Sequence, residues 1–214
     1  MERRECILST IFVHGLGQNP LSWQSTIPYL PKQLAINCPN VFDLCVSQKV
    51  TYQKLYAAFV AYCDKIPPPL NLCGISLGAI LALNYAIDYP KKVNSLVLIA
   101  AQFKMPRFLM QCQNILFRII PKKHFLKSGV NKEVMIQLTK SMLELDFTRG
   151  LKTIVCPVLV VCGAEDRVNQ KAAMLLAKQV IKGNYQIIEN AGHEVNIDAP
   201  KSLALLIETF YKNL

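Results

Sequence analysis

Metal-binding patterns are missing from this chain. Its 214 residues include three histidines, no His-Glu-x-x-His and no Cys-x-x-Cys pair. Zinc needs closely spaced imidazoles and thiolates, so no metal site is expected. Long apolar runs are missing too. The longest early one, Ile7 to Val13, is broken by Ser9 and Thr10 and stops far short of the roughly 20 residues that cross a bilayer. It reads as a core strand, which excludes a signal peptide or a membrane span there. Acidic residues are scarce, 14 against 24 Lys and Arg, giving a formal net charge of +10. No interleaved aromatic and basic motif accompanies that charge, so nucleic acid is not an expected partner. Repeats and low-complexity tracts are absent. The eight cysteines show no close paired spacing and sit mostly in apolar segments. They fit buried free thiols in a reducing cytoplasm better than a disulfide framework, which a chain with so much core hardly needs.

What is present is ample apolar material, 52% of residues, for a single domain spanning 1–214. Strand-like runs at Cys6–Val13, Val41–Val46, Leu70–Cys73, Val93–Ala100, Val158–Cys162 and Tyr185–Glu189 alternate with helical patterns. One such helical segment is expected around Trp23 to Leu34. This βαβ rhythm predicts an α/β fold: a small, mostly parallel, doubly wound sheet of about six strands with helices on both faces.

Four short segments fall at the ends of these runs. Gly74-Ile75-Ser76-Leu77-Gly78 joins an apolar run to a helical pattern. A serine on such a corner is projected above the sheet, and the flanking glycines make the turn sterically possible. Phe12-Val13-His14-Gly15-Leu16-Gly17 ends the first run and can aim a backbone N–H into a site. Gly163-Ala164-Glu165-Asp166 puts carboxylates at a strand's C-terminal end, and Asn190-Ala191-Gly192-His193 puts a histidine after the last strand. Taken singly, Asp166 also reads as a helix N-cap and His193 as an ordinary loop histidine. His14 reads as structural, and His124, in a basic stretch, as solvated.

The order Ser, Asp, His, with the early His-Gly loop, resembles the α/β-hydrolase superfamily over almost the whole chain. The resemblance implies an α/β-hydrolase fold with Ser76 as nucleophile, His193 as general base and then acid, and Asp166 orienting the imidazole. Glu165 is the competing acid; the family pattern favours Asp166, three residues after Gly163. The backbone amides of Leu16 and Leu77 would form the oxyanion hole, so their side chains matter less than their N–H groups. His14-Gly15-Leu16-Gly17, Trp23, Ser76-Leu77-Gly78, Gly163 to Asp166 and Gly192-His193 resemble the small lidded carboxylesterases, with Trp23 as a substrate-binding residue. The related cofactor-free lyases of the menaquinone pathway commonly carry an arginine shortly after the elbow, where this chain has Ala79-Ile80-Leu81. Asp43 to Ser47 also departs from the pattern, since many relatives have a glycine-rich loop there.

Between Ala101 and Thr153 the strand–helix alternation stops. One stripe comprises Phe108, Leu109, Cys112, Ile115, Leu116, Ile119 and Ile120 and is closed by Pro121; a second helix is expected from about Lys132 to Leu145. By resemblance this insertion, about 103–150, is a lid over the site; amphipathic packing on the body is compatible with that role. It carries nine basic residues against three acidic ones, six of the ten net charges. Such a face either keeps the protein soluble or steers an acidic carrier protein, an anionic substrate or an anionic surface. The sequence thus reads as a cytoplasmic serine hydrolase of a carboxylic ester or thioester, small or carrier-linked, needing no cofactor. The alternatives are the lyase and a non-catalytic binding protein on the same scaffold.

Overall fold

The computed structural model describes residues 8–45, 49–107, 110 and 131–214. Six strands, β1 (Ser9–Val13), β2 (Ala35–Asn37), β3 (Leu70–Ile75), β4 (Val93–Ile99), β5 (Val158–Gly163) and β6 (Gly183–Ile188), form one sheet. Their order is β2-β1-β3-β4-β5-β6, and every neighbouring pair is parallel. Every residue of β3 and β5 is buried, as a sheet covered on both faces requires.

Alternate residues along each strand enter different cores. Ile11, Val13, Leu72, Leu96, Leu98, Val158 and Val160 join α2 (Tyr52–Cys63), α3 (Leu77–Asp88) and α5 (Arg167–Gln179). Phe12, Cys73, Ile75, Val97, Ile99, Leu159 and Val161 meet Trp23, Leu30 and the last helix, α6 (Pro200–Lys212). The period of two is the strand's own geometry. Strand order reverses between β1 and β3. In such sheets the crevice opens at the C-terminal ends of the strands flanking that reversal. His14 follows β1 and Ser76 follows β3, so both loops sit at the crevice.

Three local expectations are corrected. Val41–Cys45 is not a strand, and Val46 lies outside the described residues: Asn40 accepts a hydrogen bond from the Phe42 amide (3.3 Å) and caps a short helix, α1 (Val41–Leu44). The second strand is instead the three-residue Ala35–Asn37. The helix expected near Trp23 to Leu34 is two 3-10 turns, Pro20–Trp23 and Ile27–Tyr29. Pro28 and Pro31, inside that span, each lack the amide proton that a continuous helix would need.

Between β4 and β5, α4 (Lys132–Ser141) is capped by Asn131, whose side chain accepts from the Val134 amide at 2.8 Å. It ends four residues earlier than its apolar spacing suggests. Thr139 and Ser141 hydroxyls donate back to the carbonyls of Met135 (2.8 Å) and Leu138 (2.7 Å) near that end. The segments at 103–105 and 145–147 are clasped together: the Met105 amide donates to the Leu145 carbonyl and the Phe147 amide to that of Phe103. The whole first stripe, Phe108, Leu109, Cys112, Ile115, Leu116, Ile119 and Ile120 with Pro121, and the basic Arg118, Lys122, Lys123, His124 and Lys127 lie outside the described residues, whereas Met110, not part of that stripe, is buried.

The six described cysteines are free, and five of them are buried. Burial pushes the Cys63 and Cys162 thiols up to about 12, so neither is a thiolate at neutral pH. Cys6 and Cys112 lie outside the described residues. Among the described residues, no helix is long and apolar enough to cross a membrane.

Candidate active site

Ser76 occupies a backbone conformation that L-residues rarely adopt, φ 53° and ψ −115°. Surrounding bonds hold it there. Its amide donates to the Ile99 carbonyl of β4 (2.9 Å), and its carbonyl accepts from Ile80 in the first turn of α3 (3.1 Å). The need for Gly78 is close approach: a Cβ there would lie 2.1 Å from the Val13 carbonyl oxygen, and one on Gly74 would lie 2.4 Å from the Gly78 backbone. The corner is therefore wedged between β1 and its own helix. Leu77 opens α3, so no preceding helical carbonyl reaches its amide.

The loop after β1 is a tight turn in which the Gln18 amide donates to the Gly15 carbonyl (3.2 Å). Gly17, with φ 84°, takes the third position, where a type II turn requires positive φ. The turn lies against the serine, for a Cβ on Gly15 would sit 3.4 Å from the Ser76 Cβ. His14 beneath it is fully buried. Its Nδ1 donates to the Gly15 carbonyl (2.9 Å), and its Nε2 accepts from the Val41 amide (3.2 Å). That pattern belongs to a neutral ring, in keeping with burial, which pulls its pKa below the ordinary value despite the Gly15 carbonyl and the Asn40 side-chain oxygen beside the ring nitrogens. On the open side, Met135 of α4 packs on Leu16 and Phe42.

Asp166 and His193 come together across 27 residues of sequence: Nδ1 of the imidazole lies 2.8 Å from Asp166 Oδ2. Because a carboxylate only accepts, Nδ1 carries the proton and the neutral ring's lone pair is on Nε2. Asn169, on the first turn of α5, donates from Nδ2 to both carboxylate oxygens at 2.8 Å, and its own Oδ1 accepts from Gln102 Nε2 at 2.7 Å. Asp166 stands at the N-cap position of α5, yet its side chain makes no capping bond. Burial would raise its pKa, but the hydrogen bonds from His193 and Asn169 and the imidazole's charge outweigh that and hold it below the ordinary value. The neighbouring Glu165 is exposed.

The structure thus brings Asp166 to His193 and sets Ser76 against the Gly15 turn, with Leu16 and Leu77 each the residue after one of the two in contact. Trp23 is elsewhere. Its indole is completely buried and packs edge-on against Phe12 with centroids 5.0 Å apart, so it offers a substrate no surface. Asn169, Gln102 and Gln18 are absent from the sequence-based site because their roles depend on contacts made across the fold. Asn169, three residues after the acid on a helix, is the one that spacing alone could have suggested. Among the described residues, no group of three His, Cys, Asp or Glu side chains converges closely enough to hold a metal ion.

Comparison with known proteins agrees with this architecture. Human monoacylglycerol lipase ABHD6 is 23% identical over 94% of this chain and 74% of its own length. 3-Oxoadipate enol-lactonase 2 from Acinetobacter baylyi is 22% identical over 94% of this chain and 88% of its own. The fold is shared with a thermophilic esterase from Thermogutta terrifontis, at a TM-score of 0.77 and 17% identity, covering 96% of this chain and 90% of that one. Residues 10–204 match the profile of the alpha/beta hydrolase family. With that match spanning both the serine elbow and the Asp166–His193 pair, the chain belongs to the alpha/beta hydrolase family.

Proposed function

We propose that this protein is a serine hydrolase of carboxylic esters or thioesters, working through an acyl-enzyme. The observation that carries this reading is the Asp166–His193 hydrogen bond at 2.8 Å, at the same end of the sheet as a serine held on a strained corner. A serine hydroxyl is a weak nucleophile until a base takes its proton, and the lone pair on His193 Nε2 is that base. Ser76 Oγ attacks the carbonyl and its proton passes to Nε2. The alcohol or thiol leaves with that proton, and water, deprotonated by the same nitrogen, releases the acid. Asp166 keeps the imidazole in the required tautomer and stabilises the imidazolium. The Leu16 and Leu77 amides receive the developing oxyanion.

Relatives named for lipase and lactonase activity support ester chemistry. The lyase alternative loses ground because Ala79, Ile80 and Leu81 are core residues, leaving no arginine just after the elbow to hold an acidic substrate. We read the insertion as a lid whose helix α4 lies over the Leu16 turn through Met135. Its basic excess is read as a guide for an acidic carrier or anionic acyl donor.

The test is hydrolysis of a short p-nitrophenyl ester by wild type and Ser76→Ala, beside labelling by a fluorophosphonate. Activity should fall on the order of a thousandfold and labelling should vanish, since triad loss leaves only binding and oxyanion-hole catalysis. Unchanged turnover in the variant rejects the reading, and a wild type that neither turns over nor labels points to the binding protein.

A further inference from the structure

We infer that Gln18 is a positioning residue, locking the turn that carries the Leu16 amide to the loop that carries His193; this rests on the hydrolase reading above. Gln18 is 7% exposed and bonds in two directions at once. Toward the turn, its Oε1 accepts from the Gly15 amide (3.2 Å), while its own amide donates to the Gly15 carbonyl (3.2 Å). Toward the histidine loop, its Nε2 donates to Glu194 Oε1 (2.9 Å) and to Asn196 Oδ1 (3.3 Å). Glu194 is the residue after His193. Asn196 is fully buried and anchored in turn: its Nδ2 donates to the Ser22 carbonyl (3.0 Å) and its carbonyl accepts from the Thr26 hydroxyl (2.9 Å).

The chemistry explains why an amide is needed. One acceptor and two donors must sit at the end of a single short side chain, and only Asn and Gln carry both in a fixed plane. A carboxylate at this position would meet Gly15 equally well but would turn a lone pair toward the carboxylate of Glu194. A methionine of similar length would leave the Gly15 amide and Glu194 without this partner. The Gly15 peptide abuts Ser76, so its tilt sets where the next amide, that of Leu16, points. Two donors and a base must converge on one substrate carbonyl, and a misplacement of about 1 Å can cost on the order of a hundredfold in rate. Gln18 therefore acts on kcat through geometry and touches no substrate itself.

The experiment is a swap read on the folded protein. Q18M should lower kcat for a short p-nitrophenyl ester by about a hundredfold with KM nearly unchanged. Q18E should fall at least as far at pH 8, where two carboxylates face each other. E194Q alone should change little, since its amide oxygen still accepts from Gln18. Q18E/E194Q restores an acceptor for Gly15 and a donor across the gap, and should recover kcat at least about tenfold over Q18E, although Asn196 keeps its lost contact. Wild-type kcat in Q18M overturns the inference, as does a double variant no faster than Q18E. If Q18M does not fold, the swap decides. Ser76→Ala keeps the outcomes separate: its full activity sinks the serine reading, whereas an inactive Ser76→Ala beside an unaffected Q18M sinks only the role of Gln18.

Discussion

Two adjacent carboxylates, Glu165 and Asp166, end β5 in opposite circumstances. Glu165 is exposed, whereas Asp166 is buried and takes hydrogen bonds from His193 and Asn169. Only a carboxylate facing the imidazole can select its tautomer, so Asp166→Asn should cut kcat by orders of magnitude and Glu165→Gln by little, with circular dichroism confirming both folds. The reverse ranking would move the acid to Glu165. Stability carries the same signature. The Asp166 pKa is lowered in the folded state, so its contribution is complete above the unfolded carboxyl value of about 3.9 and is lost as pH falls through the folded one. The difference in Tm between wild type and Asp166→Asn should therefore shift in the variant's favour below about pH 4. The proposed Ser76, Asp166 and His193 are legible in the sequence because each lies within three residues of a glycine at the end of an apolar run. Asn169, Gln102 and Gln18 are not, because an amide's partners are chosen by tertiary structure and nothing in its neighbours' identities announces them.

Strands buried on both faces were the most legible elements: the runs at Leu70, Val93 and Val158 all became neighbouring strands at the centre of the sheet. The edge was not. Ala35–Asn37 is three residues long and half exposed, so it has too little apolar content to stand out, while Val41 to Val46 has the composition of a strand but is preceded by a capping asparagine. The departure from the glycine-rich pattern remains with the strand correctly placed, since Cys38, Pro39 and Asn40 follow Asn37 and no glycine occurs between Gly17 and Gly74. The elbow makes the sharpest prediction at this scale. On an ordinary helix Gly→Ala stabilises by up to about 1 kcal/mol. At Gly78 the new Cβ would meet backbone oxygen at 2.1 Å, and no rotamer relieves a backbone clash. α3 must leave β1, so Gly78→Ala should lose roughly 4 kcal/mol or more, read as a lower urea midpoint or as loss of folded protein. Gly192→Ala is the control: the nearest atom to its Cβ is a side-chain oxygen of Asp198 at 3.3 Å, which can yield, and its midpoint should stay close to wild type.

At the scale of the molecule, six of ten net positive charges belong to residues 103–150. Two of the basic residues there are already matched: Lys104 pairs with Asp146 at 2.9 Å, and Arg107 pairs with Glu144. These pairs are largely exposed and so contribute little to stability, but each cancels a charge that would otherwise act at a distance. The surplus available for steering therefore falls mainly to other residues, among them Arg118, Lys122 and Lys123, which lie outside the described residues. Attraction between a basic face and an anionic acyl donor is long-ranged, and its reach shrinks from about 10 Å at 0.1 M ionic strength to about 3 Å at 1 M. For an anionic ester or an acidic carrier thioester, wild-type kcat/KM should fall steadily as salt rises. For a neutral p-nitrophenyl ester it should barely move. Reversing Lys122 and Lys123 to Glu should lower kcat/KM on the anionic substrate at low salt and flatten its salt dependence, while reversing Lys104 and Arg107 together, which loses their pairings with Asp146 and Glu144, serves as a charge-matched comparison. Equal losses on neutral and anionic substrates would assign the segment a structural role, and a salt-independent wild type would reduce the basic face to a solubilising surface.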